Sequence, residues 1–424
     1  MQEAFLHYVW KYKILNSSSL QTAQGEALQI LSCGEHNQNA GPDFFNAQLV
    51  LDGQRWAGNI EIHVKASDWY VHNHEQDQAY KNVILHVVWE YDTEVYREDN
   101  SVLPTLVLKD YVEKQTLDNY YKLNDKAGKW IFCENHFAEV SNFTLYNWLE
   151  RLFTERLERK TKEIEALLTA SKNNWEAVLF VLLAKNFGLK VNGEAFRSIA
   201  QHIPWQVMQK IMANNTQLEA VFFGQAGLLH DEIQEPYFLK LKKEYAYLTH
   251  KFGLQTKGVL PCNFFRLRPS NFPTIRLAQL AALYHTHTKL FAKLISVKSP
   301  QEAYPIFKNS VSAFWQDHYT FKSKSKKSPK ALTKKFIDLL LVNTIIPIQY
   351  CYAKHQGKTT GEQLITFAAG ISPEQNSIVA KFNELKPITS SALHSQALIQ
   401  LKTRYCDEKK CLECAIGNTL LNRK

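Results

Sequence analysis

The chain has 424 residues, which is enough for about two or three domains of ordinary size. Hydrophobic residues make up 45% and charged residues 21%, a composition that can bury a sizeable core and therefore excludes a disordered chain. The 50 Lys and Arg residues exceed the 41 Asp and Glu residues, and the formal net charge is +9. This surplus suits a polyanionic partner such as nucleic acid but does not by itself identify one.

The sequence predicts a cytoplasmic protein without a membrane segment. Its amino-terminal residues mix acidic and basic side chains with apolar ones and do not resemble a signal peptide. The most apolar stretch, residues 336–352, contains Asp338, Asn343 and Pro347, so we expect a buried core helix that is broken near the proline. Seven cysteines without an export signal argue against a disulfide framework.

Residues 1–112 are predicted to form a strand-rich domain. An amphipathic helical stretch comes first, with apolar residues at helical spacing: Phe5, Tyr8, Val9 and Tyr12. Four segments between turn signals either alternate apolar with polar residues or are apolar throughout. They are predicted as strands: 27–34, 44–53, 54–65 and 82–92. Asp52-Gly53 predicts a tight hairpin, and residues 74–81 predict a short helix before the last strand.

The rest of the chain is predicted to be mostly helical, because its apolar residues recur at i, i+3 and i+4. We divide it into a helical domain, 113–300, and a helical carboxy-terminal region, 301–424, that carries a cysteine-bearing segment. The basic stretch 322–335 is predicted as a solvated loop, with a loop that contacts an anion or nucleic acid as the alternative. The fold class is therefore α+β, with an amino-terminal mixed sheet followed by a larger helical region.

Three ionisable residues share one face of a predicted strand. Glu61, His63 and Lys65 lie two residues apart, so their side chains project together, and burying them unpaired is costly. The hairpin brings Asp43 beside Glu61, and two such carboxylates favour a bound Mg²⁺ or Mn²⁺. His63 or Lys65 can then position a water or neutralise charge on a phosphate. These four residues predict the catalytic site of a metal-dependent nuclease or related phosphodiesterase.

Histidines offer a second metal hypothesis for the same region. His72 and His74 follow on a predicted loop, and His86 lies inside the next strand. Together with Glu61 and His63 they can form a site for Zn²⁺, Fe²⁺ or Mn²⁺, ions that imidazole suits. The structural alternative is a core His86 that hydrogen bonds satisfy, with His72 and His74 exposed on a loop.

A cysteine cluster predicts a separate metal site. Three cysteines lie close together near the carboxyl end: Cys406, Cys411 and Cys414. Their spacing allows the thiolates to converge on zinc or an iron–sulfur cluster, with a fourth ligand from elsewhere in the chain. The candidates for that fourth ligand are Cys133, which we favour, Cys262 and Cys33. The alternative is a set of reduced cysteines in a polar segment.

An arginine-rich stretch predicts contacts to nucleic acid. Arg266, Arg268 and Arg276 alternate with aromatic residues and prolines, so their guanidinium groups can bind phosphates. Phe265 and Phe272 can stack on bases. The alternative is an irregular connection in which the arginines bind backbone carbonyls, and the sequence favours neither.

The strand-rich domain resembles the PD-(D/E)xK nuclease superfamily. The resemblance rests on Pro42-Asp43 at a strand start, Glu61 on the partner strand, and a helix and a strand that follow. That superfamily has its lysine two residues after the acid, where this chain has His63, whereas Lys65 is four residues after it. The resemblance implies a restriction-endonuclease-like fold and metal-dependent cleavage of DNA or RNA. Some of its members also bind a [4Fe–4S] cluster through three late cysteines and a distant one.

A second resemblance covers nearly the whole chain. It is carried by six segments: 41–44, 58–69, 83–88, 223–229, 265–281 and 411–417. On these segments the chain resembles a bacterial family catalogued as domain of unknown function 2851, which implies one shared architecture and no activity. Two further functions stay open: a non-catalytic nucleic-acid-binding or scaffold protein with a structural zinc or iron–sulfur site, and a His/carboxylate metal hydrolase that acts on a small molecule.

Overall fold

The computed structural model describes residues 1–37, 40–124, 129–359 and 361–423, without the side chains of Leu123 and Asn124. The chain forms two compact units. The first comprises Met1–Leu145 together with Lys402–Lys424, and the second comprises Tyr146–Leu401. This division differs from the three predicted regions, because the carboxy-terminal segment belongs to the unit that contains the sheet.

The first unit is built on a mixed sheet. Its strands are β1 (Leu20–Gln21), β2 (Ala27–Ser32), β3 (Glu35–His36), β4 (Phe44–Leu51), β5 (Gln54–Lys65), β6 (Val83–Glu90) and β7 (Thr105–Val107). Their order is β1-β2-β4-β5-β6-β7, and β3 pairs with β4. The pairs from β1 to β5 are antiparallel, whereas β5–β6 and β6–β7 are parallel. The predicted mixed sheet is therefore confirmed, although β1, β3 and β7 had no clear signal in the sequence.

The hairpin between β4 and β5 is the predicted one. Asp52 and Gly53 both have positive φ values, 45° and 84°, as a two-residue type I′ turn requires. The turn places Leu51 opposite Gln54 and thereby fixes the register of the two strands. This register determines which side chains of β5 share a face.

Apolar clusters cover the sheet on both sides. Helices α1 (Glu3–Lys11) and α2 (Asp68–Val71) flank it, and α3 (Lys114–Asn124) follows β7. Phe5 and Val9 of α1 are fully buried in one cluster with Ile60 and Ile62 of β5. Trp69 of α2 is buried in the other cluster. Each such side chain contributes roughly 1.5–3 kcal/mol to folding, so the position of β5 between the two clusters is strongly fixed.

The second unit is mostly helical. Its helices are α4 (Asn142–Ala170), α5 (Trp175–Phe187), α6 (Leu189–Gln201), α7 (Trp205–Ile211), α8 (Asn215–Gln225), α9 (Pro236–Phe252), α10 (Pro273–Thr286), α11 (Leu290–Ile295), α12 (Pro300–Ala303), α13 (Ala313–Gln316), α14 (Lys334–Leu340), α15 (Ile346–His355), α16 (Gly361–Ala369), α17 (Ser377–Leu385) and α18 (Ala392–Leu401). A two-stranded sheet joins β8 (His318–Thr320) to β9 (Ser323–Lys324). The last helix of the chain, α19 (Ala415–Leu421), belongs to the first unit.

The apolar segment with Pro347 is one continuous helix, so the predicted break at the proline is wrong. A π-helical turn over Leu341–Ile345 connects α14 to α15, and Pro347 lies in the first turn of α15. Wider π-helical hydrogen bonding accommodates the missing proline N–H without ending the helix. By length and composition Lys334–His355 could cross a membrane, but 78% of its apolar window is buried inside the protein, as in a core helix.

Candidate metal centre

The structure brings Asp43 and Glu61 together at the start of the β4–β5 pair. Asp43 directly precedes β4, and its backbone N–H donates to Glu61 Oε2 over 3.2 Å. The backbone N–H of Ile62 in turn donates to Asp43 Oδ2 over 2.9 Å. These reciprocal bonds fix the two acidic side chains next to each other.

Two histidines reach the same place from the crossover between β5 and β6. Asn73 has a φ of 57°, a left-handed conformation that asparagine tolerates better than most residues. It turns the chain between His72, at the end of α2, and His74. His72 Nδ1 lies 3.0 Å from His63 Nε2, and His74 Nε2 lies 3.3 Å from Glu61 Oε1. The crossover thus carries two imidazoles back to β5.

The resulting ligand set has the dimensions of a site for a single ion. One nitrogen each from His63, His72 and His74 lies within 4.8 Å of the other two. Glu61 Oε1 lies 3.5 Å from His63 Nε2. Ligands that are each about 2.1 Å from one ion lie roughly 3–4 Å apart, so these atoms need only small shifts to bind one. We call Glu61, His63, His72 and His74 the histidine centre.

The histidine centre is mostly buried but open at one side. Glu61 is 5% exposed, His63 1% and His74 9%, whereas His72 is exposed. His74 Nε2 is buried without a hydrogen-bond partner among the described residues, since Glu61 Oε1 lies outside hydrogen-bonding geometry. A buried nitrogen without a partner costs free energy, and a cation next to it would offset that cost.

The electrostatics of the histidine centre favour a bound cation. Burial, and then the neighbouring Asp43 charge, raises the pKa of Glu61 to about 9. Burial, followed by the charges of His74 and His72, lowers the pKa of His63 to about 3. The imidazole is therefore neutral, which is the form that binds metals, and a divalent ion would stabilise the Glu61 carboxylate.

His86 was predicted as a metal ligand, but it lies behind His63. Its Nε2 is 2.9 Å from His63 Nδ1, and its side chain has no exposed surface. When Nε2 of His63 faces an ion, Nδ1 carries the proton and donates it to His86. His86 is thus a positioning residue that orients the His63 ring.

We expect His86→Leu to weaken Mn²⁺ or Zn²⁺ binding about 10- to 100-fold, as the loss of such outer contacts does in other metal sites. The thermal stability of the metal-free protein should change little, because His86 Nδ1 is buried without a partner among the described residues. Titration calorimetry and thermal unfolding measure the two quantities. His86→Gln retains an acceptor and should restore much of the affinity for the metal. Equal affinities in the wild type and in both variants would contradict the positioning role of His86.

Sequence reasoning missed two side chains next to this site. His7 of α1 has its Nε2 3.2 Å from Asp43 Oδ2. Burial is the largest influence on the pKa of His7 and lowers it, but the neighbouring carboxylates of Asp43, Glu3 and Glu61 together outweigh burial and raise that pKa. The Tyr80 ring stacks on His74 with centroids 3.7 Å apart. Nothing in the spacing around His7 links it to Asp43, since the contact depends on how α1 packs.

The structure does not bring Lys65 to the two carboxylates. Lys65 is the exposed last residue of β5, and its backbone N–H donates to Asp68 Oδ2 over 2.9 Å. In the described parts of the chain no ion pair joins its ammonium group to Asp43 or Glu61. The position two residues after the acid is occupied by His63, which lies inside the centre.

Arg276, which was predicted to contact phosphates, is buried in the structure. It is 8% exposed, and its guanidinium donates to Gln279 Oε1 over 2.9 Å and to Asn271 Oδ1 over 2.6 Å. These acceptors at the start of α10 are side-chain amide oxygens and not the backbone carbonyls of the structural alternative. Arg266 and Arg268 are exposed, so they stay candidates for an anion contact on the second unit.

A second group of potential ligands lies in the second unit. Glu165 of α4 is close to Cys351 and His355 of α15, and one ligating atom from each lies within 4.8 Å of the others. Burial raises the pKa of Cys351 to about 11, so its thiol is neutral near pH 7. Only one of its three members is buried, whereas two of the three histidines are, so this group is less enclosed than the histidine centre.

The fold and the site define an α+β protein whose mixed sheet carries a His/carboxylate cluster. The chain belongs to the family described as Protein of unknown function (DUF2851), whose profile matches residues 3–377. That range contains the whole histidine centre and ends before Cys406. No curated protein and no solved structure shows a significant match to the chain.

Proposed function

We propose that this protein is a metal-dependent hydrolase that cleaves phosphodiester bonds in DNA or RNA at the histidine centre. The observation that carries the proposal is a set of three imidazole nitrogens within 4.8 Å of one another, together with a Glu61 carboxylate oxygen that lies 3.5 Å from His63 Nε2 and 3.3 Å from His74 Nε2. Asp43 would complete the site, because its backbone and its carboxylate are both tied to the segment around Glu61.

The order of the elements around the site supports a nuclease fold for the first unit. Pro42-Asp43 directly precedes β4, Glu61 lies on its antiparallel partner β5, and α2 and the parallel strand β6 follow. This is the order that the PD-(D/E)xK resemblance implies. We therefore propose a restriction-endonuclease-like arrangement in which His63 takes the place of the usual lysine.

The ligand types favour Mn²⁺, Fe²⁺ or Zn²⁺ over Mg²⁺, since imidazole suits the former and Mg²⁺ prefers oxygen ligands. When bound, such an ion would lower the pKa of a water and polarise a phosphoryl oxygen. The Ile62 N–H and His7 orient the Asp43 carboxylate, which would accept a proton from the attacking water. His72, the exposed member, would lie on the side where substrate enters.

The test is a cleavage assay with the metal-free protein, single-stranded and duplex DNA, RNA and a chromogenic phosphodiester. Each substrate is incubated with Mn²⁺, Zn²⁺, Fe²⁺ without oxygen, or Mg²⁺. We expect cleavage that Mn²⁺ supports better than Mg²⁺ and that a chelator stops. Cleavage that persists in chelator, or no cleavage by protein that demonstrably holds an ion, would refute the proposal. Hydrolysis of the chromogenic ester alone would point to a small-molecule substrate.

Substitution of His63 and of Lys65 shows which of the two residues takes the place of the lysine of the PD-(D/E)xK superfamily. His63→Ala should lower kcat about 10²- to 10³-fold, because it removes a ligand and an oriented imidazole. Lys65→Ala should leave kcat within about threefold, because this side chain is exposed and joins neither carboxylate. Both variants are assayed with saturating Mn²⁺. A large loss in Lys65→Ala alone would give the catalytic role to the lysine.

A further inference from the structure

Four cysteines of the first unit lie on two segments that approach each other. They are Cys133, Cys406, Cys411 and Cys414, and none of the four forms a disulfide. Cys133 and Cys411 both pack against the apolar cluster that contains α1 and one face of the sheet. The carboxy-terminal segment thus returns to the body of the unit at the residues that follow β7.

Hydrogen bonds hold the carboxy-terminal segment in this position. Tyr8 Oη donates to Asn418 Oδ1 over 3.0 Å, and Asn119 Nδ2 donates to the Leu421 carbonyl over 3.2 Å. The ammonium of Lys402 lies 5.3 Å from the centre of the Trp130 ring, three residues before Cys133. The approach of the late cysteines to Cys133 is therefore anchored at several independent points.

The backbone around the late cysteines has the form of a ligand turn. A π-helical turn ends at Cys406, and Cys411–Glu413 forms a single 3₁₀ turn. The Cys414 N–H donates to the Cys411 carbonyl over 3.3 Å, which closes the turn between these two thiols. A Cβ on Gly417 would lie 2.1 Å from the Cys411 oxygen, so only glycine allows α19 to pack this closely on the turn.

The thiols lie close enough for their charges to interact. Burial, and then the charges of the other three thiols, raises the pKa of Cys406. Burial, followed by Cys414, likewise raises the pKa of Cys411 to about 12. The other two sequence candidates are absent from this group: Cys33 Sγ donates to the Trp10 carbonyl over 3.1 Å, and Cys262 lies in the second unit.

We propose that Cys133, Cys406, Cys411 and Cys414 bind a thiophilic metal centre that ties the carboxy-terminal segment to the sheet unit. Four cysteine thiolates are the ligand set of tetrahedral zinc and of iron–sulfur clusters. The centre uses no residue of the histidine centre, and its test does not depend on catalysis.

The number of metal ions depends on how closely the thiols approach one another. Sulfurs bound to one zinc ion lie about 3.8 Å apart, since the Zn–S distance is about 2.3 Å. Among the described residues, the cysteines form no group of three ligating atoms that all lie within 4.8 Å of one another. A single zinc would therefore require the four thiols to draw together, and metal analysis distinguishes such a zinc from a cluster.

The experiment measures the metal content of the full chain purified without oxygen. Iron and acid-labile sulfide in equal amounts, with brown colour, would identify a cluster, and one colourless zinc per chain would identify a mononuclear centre. Either result supports the site. Serine at any of the four positions should remove most of that metal, whereas Cys262→Ser, a matched control in the second unit, should retain it.

A second measurement keeps the test decisive where a serine variant folds poorly. In the native wild-type protein the four thiols should resist a thiol reagent, and metal removal should release about four of them and lower the midpoint of thermal unfolding. The proposal is overturned when the anaerobic wild-type protein holds no iron or zinc and takes up neither on reconstitution. It is also overturned when the four serine variants all retain the metal.

Discussion

Glu61→Gln is expected to abolish metal-dependent hydrolysis, with a loss in kcat/KM of at least about 10³-fold. Glu61 lies close to both His63 and His74 and would be the charged ligand of the proposed site, and the amide removes the negative charge that would offset the charge of the ion. The fold should persist, because the Gln carbonyl can still accept the hydrogen bond from the Asp43 N–H. Mn²⁺ affinity and the rate of cleavage are measured on the same preparation.

Glu90→Gln is the matched control for this substitution. Glu90 is an exposed glutamate at the end of β6, the strand next to Glu61 in the sheet, and it belongs to no proposed site. Its change should leave both the affinity for Mn²⁺ and kcat/KM unaltered. Cleavage at the wild-type rate by Glu61→Gln would remove the histidine centre from the reaction. If the wild-type protein bound Mn²⁺ weakly and had no activity, the metal site would stand and the proposed nuclease activity would be refuted.

The predicted strands agree with the structure because their signals are local. The alternation of β5 specifies which side chains share a face, and the Asp52-Gly53 turn specifies the hairpin that brings Asp43 to Glu61. The proximity of Asp43 to Glu61 in the site therefore follows from short-range rules. A period of two along one strand is sufficient to place His63 beside Glu61.

The remaining parts of the site depend on tertiary contacts. His72 and His74 face β5 because Asn73 adopts a left-handed conformation, which the sequence permits but does not require. His7 reaches Asp43 only through the packing of α1. Lys65 shared the predicted face but lies at the end of the strand, where no second layer covers it. The face of the strand on which Lys65 lies was predictable, whereas its exposure and the positions of the three histidines were not.

The cysteines show the same division between local and distant information. The spacing of the three late cysteines predicts a shared ligand turn, and the structure has such a turn at Cys411 and Cys414. The sequence offers three other cysteines as the fourth ligand and favours Cys133. The return of the carboxy-terminal segment to the sheet unit supports that choice through contacts between residues far apart in sequence.

Arg276→Ala is expected to lower the free energy of unfolding of the second unit by about 3 kcal/mol. The change leaves the buried acceptor Gln279 Oε1 and the half-buried acceptor Asn271 Oδ1 without their donor. It also removes the guanidinium that lies 3.7 Å from the centre of the Phe336 ring. Burial lowers the pKa of Arg276 to about 10, which agrees with a group withdrawn from solvent. Urea unfolding of the full chain, followed by circular dichroism, measures the loss.

Arg268→Ala is the control, since Arg268 is exposed a few residues earlier in the same stretch. It should change the free energy of unfolding by no more than about 0.5 kcal/mol. If this surface binds nucleic acid, Arg268→Ala should weaken DNA or RNA binding and reduce its dependence on salt, because one phosphate contact is lost. Normal stability together with weaker nucleic-acid binding in Arg276→Ala would contradict the buried structural role, because a side chain that binds phosphate has to reach the surface.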